Sequence, residues 1–138
     1  MKKPSDSIFR LIKSMTRTEK RYFKRFASMH TNSGENKYIL IFDAINKMKE
    51  YNEESLIKKF KGESFVTNFS EIKKYLNTQI LKSLRNYHGQ SDPFIQLQEM
   101  LLEIKLLARK GIFDACLAAI KRARKLAKKY EAFDVLME

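Results

Sequence analysis

Glycine and proline are scarce in this chain, at four and two residues of 138. So few helix breakers imply long helices joined by short turns, and they leave β structure almost no place. The glycines, Gly34, Gly62, Gly89 and Gly111, stand alone in sequence. A phosphate-cradling loop needs several close together, so neither a P-loop nor a dinucleotide fingerprint is present. Cysteine occurs once, as Cys116, which excludes an intramolecular disulfide and suits a reducing compartment. The two histidines, His30 and His88, have no second histidine or cysteine at metal-ligand spacing, and one thiol cannot supply a zinc ligand set. No metal and no other cofactor is expected. Cys116 reads as a small core residue rather than a nucleophile. Adjacent carboxylates such as Glu53 and Glu54 do not face each other on a helix, and the helix dipole explains their place in a first turn. The chain is therefore not expected to be an enzyme.

Long apolar runs are also missing. None approaches the roughly 20 residues of a membrane span, and the opening "MKKPSDSIFR" lacks the apolar core of a secretory signal. A cytoplasmic protein without a membrane role is expected. Acidic residues are few: 28 Lys and Arg against 16 Asp and Glu give a formal net charge of +12. That excess favours nucleic acid, anionic lipid or an acidic protein surface. With 43% hydrophobic and 12% aromatic residues the chain can bury a core that offsets its conformational entropy, despite 32% charged residues.

Apolar spacing places the helices. Ile8, Leu11, Ile12 and Met15 recur at i, i+3, i+4, i+7 behind a cap at Asp6 or Ser7. Thr16 or Thr18 caps a second helix within "TRTEKRYFKRFASMH", where Arg17, Lys20, Arg21, Lys24 and Arg25 alternate with rings. At about 100° per residue those cations share an arc of about 140°, and Tyr22, Phe23, Phe26 and Met29 take the opposite, buried side. "TNSGEN" reads as a turn before a third helix with Tyr38, Ile41, Phe42, Ile45 and Met48 on one stripe. Asn52 caps a fourth, Glu53 to Lys61, ended by Gly62. Asn68, with Glu71 three positions on, opens a long fifth helix that Gly89 closes. "GQSDP" is the domain boundary: Ser91 or Asp92 caps the next helix and Pro93 fits its first turn. Beyond it the apolar positions change from Phe, Tyr and Ile to Leu and Ala, and two helices joined around Gly111, Ile112 and Phe113 form a hairpin. Small Cys116 and Ala123 permit close approach while Phe113 and Ile120 fill the gaps beside them. "YEAFDVLME" reads as the start of another helix.

The hairpin resembles a tetratricopeptide repeat on "KGIFDACLAAIKRARKLA", with Gly111 in the inter-helix turn, Phe113 at an aromatic position, Cys116 and Ala123 at small ones and Ile120 at a large apolar one. Its first helix departs from the pattern, with Glu103 and Ile104 where a Leu-Gly pair is usual, and the proline that usually follows the second helix is missing. "LIKSMTRTEKRYFKRFAS", "YILIFDAINKM" and "LKSLRNYHG" resemble the leading region of a group of largely uncharacterised bacterial proteins that continue into such repeats. The resemblance implies an adaptor; that "YEAFDVLME" opens a helix and stops without a cap, a glycine or a polar tail gives the expectation of a fragment of a longer chain. It carries over no catalytic residues.

The resulting expectation is an all-α protein: an N-terminal helical bundle with a helix-turn-helix-like unit over residues 1–90, then a truncated repeat-like hairpin over 91–138. Its function is expected to be non-catalytic scaffolding toward a protein partner with an acidic segment. The alternative is a nucleic-acid-binding module making mainly phosphate-backbone contacts. Candidate polyanion-binding residues are Arg17, Lys20, Arg21, Lys24, Arg25, Lys58, Lys59, Lys73, Lys74, Lys121, Arg122, Arg124, Lys125 and Lys128. The fourth helix resembles a recognition helix in position, yet it opens on Glu53 and Glu54 and lacks side chains suited to base reading. A dimer through an apolar face at Phe133, Leu136 and Met137 is a further expectation.

Overall fold

The structure, a computed structural model, describes residues 5–29 and 37–137; for Phe65 and residues 132–137 it describes backbone only. All regular structure in this range is helical, with no strand among the described residues: α1 (Ser7–Ser14), α2 (Arg17–Met29), α3 (Lys37–Lys47), α4 (Glu53–Lys59), α5 (Phe69–His88), α6 (Pro93–Arg109) and α7 (Phe113–Met137). No described helix is long and apolar enough to cross a membrane. The expected turn at 31–36, and His30, lie outside the described residues.

Two compact units divide the chain, Met1–Leu84 and Arg85–Glu138. In the first, helices α1 to α5 contribute to one core. Ile8, Ile12 and Met15 come from α1 and its C-cap, Phe23 from α2, Ile41, Phe42 and Ile45 from α3, Leu56 from α4, and Ile72, Leu76 and Ile80 from α5. Both α1 and α2 pack on α3, where the Phe23 and Phe42 rings lie 4.7 Å apart.

The buried line of α2 differs from the expected one. Phe23 and Ala27 are buried, Tyr22 and Phe26 are half-buried, and Met29 is 76% exposed. Ala27 follows Phe23 by one turn, and its small side chain permits close approach to α3, so the helix turns this edge inward rather than the Phe26–Met29 edge.

Local punctuation follows capping chemistry. Thr16 Oγ1 accepts the Glu19 N–H at 3.2 Å while Glu19 Oε1 accepts the Thr16 N–H at 2.8 Å, a reciprocal capping box. Asn52 Oδ1 accepts the Ser55 N–H at 3.1 Å. α4 then stops at Lys59, short of the expected Lys61, because the Phe60 and Lys61 N–H groups donate to Ile57 and Lys58, three residues back, and so tighten the last turn. Gly62 follows with φ 97°, in the left-handed region. Asn68 does not cap α5; it is the last residue of a 3-10 turn, Ser64–Asn68, that runs directly into the helix and leaves no free start to cap.

In the second unit Asp92 Oδ1 accepts the N–H groups of Phe94 and Ile95 at 3.0 and 3.4 Å, and Pro93 occupies the first helical position. α6 ends in a Schellman motif: Gly111 N–H donates to Ala108 and Ile112 N–H to Leu107, with Gly111 at φ 75°. α6 and α7 pack on each other. Cys116, Ala119 and Ala123 are the buried positions among the described side chains of α7, and the Cys116 thiol donates to the Ile104 carbonyl at 3.7 Å. Phe113, expected to fill a gap, is 66% exposed, and Ile120 is half-buried. No new helix begins at Tyr130, because α7 contains neither glycine nor proline to interrupt it and runs on to Met137.

Candidate polyanion-binding surfaces

Arg17, Lys20, Arg21 and Lys24 recur at i, i+3, i+4 and i+7 and so form one ridge along α2. They line a cleft of about 420 Å³ whose remaining walls are Phe42 and Asn46 of α3. Asn46 sits near the end of α3 and binds two lysines: its carbonyl accepts from Lys13 Nζ at 2.7 Å and its Oδ1 from Lys20 Nζ at 2.6 Å. Cations at the negative end of a helix dipole are favourable. Lys24 Nζ is 2.6 Å from Asp43 Oδ1. Arg17, Arg21 and Arg25 are exposed and form no ion pair or side-chain hydrogen bond with any described residue.

Lys73 has a different setting. Its ammonium lies 2.6 Å from Glu53 Oε1, donates to the Ser5 carbonyl at 3.0 Å, and stands 5.3 Å from the centre of the Tyr51 ring. The Tyr51 hydroxyl donates to the same Glu53 oxygen at 2.9 Å. Burial first, then this hydrogen bond and the Glu53 charge, push the Tyr51 phenol well above its ordinary value. The network borders a cleft of about 620 Å³ lined also by Ser7, Ile8, Ser70, Lys74, Asn77 and Thr78. It ties down the N-terminal end of α4, the end a recognition helix presents to base edges. The sequence puts Lys73 among the candidate polyanion-binding residues, and no spacing rule links Tyr51, Glu53 and a lysine 20 residues later.

The remaining cations are distributed. Lys58 and Lys59 are exposed on the last turn of α4, and Lys74 is exposed, 3.9 Å from Glu71. On α7, Lys121, Arg122, Arg124, Lys125 and Lys128 are all exposed, but at about 100° per residue they do not form one patch. Lys121, Arg124 and Lys128 share a face with exposed Phe113 and Leu117, Lys125 borders it about 40° beyond Lys121, and Arg122 lies further around the helix. Among the described residues no group of three or more His, Cys, Asp and Glu side chains is arranged to hold a metal ion. No family model, no curated protein and no solved structure matches this chain.

Proposed function

We propose that the chain is a non-catalytic helical scaffold, and that the α6–α7 pair is a tetratricopeptide-like hairpin that docks a protein segment. One observation carries this reading. Phe113 and Leu117, 66% and 60% exposed, continue along α7 into Lys121, Arg124 and Lys128 on the same face. Apolar anchors followed by cations complement an amphipathic partner with two apolar side chains and acidic residues next to them. The anchors supply affinity through burial, and the cations set orientation and encounter rate.

A pull-down with the full chain, run beside L117E, tests this. The expected result is a protein retained by the wild type and lost from L117E, with a binding segment that maps to an acidic amphipathic stretch. A set of captured proteins unchanged by L117E, or turnover of a small molecule by the chain, sinks the reading.

A further inference from the structure

The ridge on α2 is unusual in how little of its charge is answered. The one carboxylate on the helix, Glu19, lies about 200° around the axis from Arg17, and its Oε1 accepts the Thr16 N–H at 2.8 Å. Asp43, beside the cleft on α3, lies 2.6 Å from Lys24 and balances that one cation. Lys20 is held by a neutral oxygen, that of Asn46, which fixes its ammonium without cancelling its charge. Among the described residues, Arg17, Lys20, Arg21 and Arg25 therefore remain as four like charges with no carboxylate partner, along about 12 Å of helix. Like charges one turn apart repel, and a polyanion relieves that cost.

The chemistry of the cleft narrows the ligand. Guanidinium forks match phosphate oxygens in geometry as well as charge. The one ring that lines the cleft, Phe42, is 0% exposed, so the cleft itself offers no aromatic face for a base to stack on. Asn46, the amide in the cleft, already engages Lys20 through its side-chain oxygen and Lys13 through its carbonyl. What is left contacts backbone rather than bases. Successive phosphates of one strand advance about 3.4 Å along a duplex axis, so the ridge spans three to four of them. The geometry points to a sequence-independent site for the phosphodiester backbone of duplex nucleic acid on α2, centred on Arg17 and Arg21.

Fluorescence anisotropy of a labelled mixed-sequence DNA duplex, titrated with the full chain at several salt concentrations, tests the site. Wild-type affinity is expected to fall about 100-fold between roughly 50 and 200 mM salt, the mark of about four phosphate contacts. R17A/R21A is expected to reduce the log–log salt slope by about two and low-salt affinity by at least about tenfold. K58A/K59A makes the same charge change at exposed positions of α4 and is expected to leave affinity within about twofold. Failure of the wild type to bind overturns the inference. So does a loss in K58A/K59A as large as in R17A/R21A, which would mark a general field rather than a site. Displacement of the duplex by polyglutamate as effectively as by a second, unlabelled duplex at equal charge concentration also overturns it, since the cleft would then show no preference for phosphate.

Discussion

Lys73 and Glu53 form an ion pair at 2.6 Å with side chains only 14% and 19% exposed. Lys74, the next residue, meets Glu71 at 3.9 Å with both side chains more than 70% exposed. Covered charges are screened far less than exposed ones, and removing one partner strands the other. Lys73→Met should cost about 2–3 kcal/mol in denaturant unfolding, and Lys74→Met less than about 0.5 kcal/mol. Equal losses would contradict the structural role given to Lys73.

Tyr51 should make the fold sensitive to alkali. Its phenol keeps a proton in the folded chain that the unfolded chain releases from about pH 10, the ordinary tyrosine value. The folded state then binds more protons than the unfolded one, so the contribution is complete below that pH and is lost as pH rises above it. Absorbance titration of the six tyrosines should show a late step that Tyr51→Phe removes, and the variant's stability should fall less steeply at high pH. A titration unchanged by Tyr51→Phe would refute this.

The orientation of α2 yields a graded series. Phe23→Ala should cost about 4 kcal/mol, because the ring is fully buried against Phe42. Phe26→Ala removes a half-buried ring and should cost about half as much. Met29→Ser should change stability by less than about 0.5 kcal/mol, since Met29 is 76% exposed. A Met29 effect as large as that of Phe23 would mean the helix is rotated.

Two glycines in the second unit resist alanine for different reasons. A Cβ at Gly111 meets nothing within 4 Å, but its φ of 75° disfavours any L side chain, so Gly111→Ala should cost about 1 kcal/mol from backbone strain alone. A Cβ at Gly89 would lie 2.8 Å from the Arg85 carbonyl oxygen, so Gly89→Ala must shift the backbone that closes α5. Thermal unfolding should therefore show Gly89→Ala losing more than Gly111→Ala. The reverse order would show that the close approach at Gly89 is easily relieved.

Capping side chains provide a simpler check. Asn52→Ala and Asp92→Ala each remove the acceptor for N–H groups in a first turn. Each should lower stability by about 1 kcal/mol, with Gly recovering most of the loss.

Helix positions were legible because their signals are local. The Asn52 and Asp92 caps, Pro93 at a first position and Gly111 past a last one act over four residues of chain, a range that sequence displays directly. The reading of "YEAFDVLME" as a new helix fails because no breaking residue precedes Tyr130, so α7 continues uninterrupted to Met137. Phe113 was misread because an aromatic in a turn looks like a gap filler, and its exposure depends on what packs beside it.

Composition and spacing alone determined that this protein is helical, cationic and equipped with a ridge of positive charge on α2, because each follows from residue type and the 3.6-residue repeat. Tertiary structure decided which cations remain uncompensated. Lys24 meets Asp43 and Lys73 meets Glu53 through contacts between helices, and such partners are chosen by packing geometry, which no periodicity along one helix encodes.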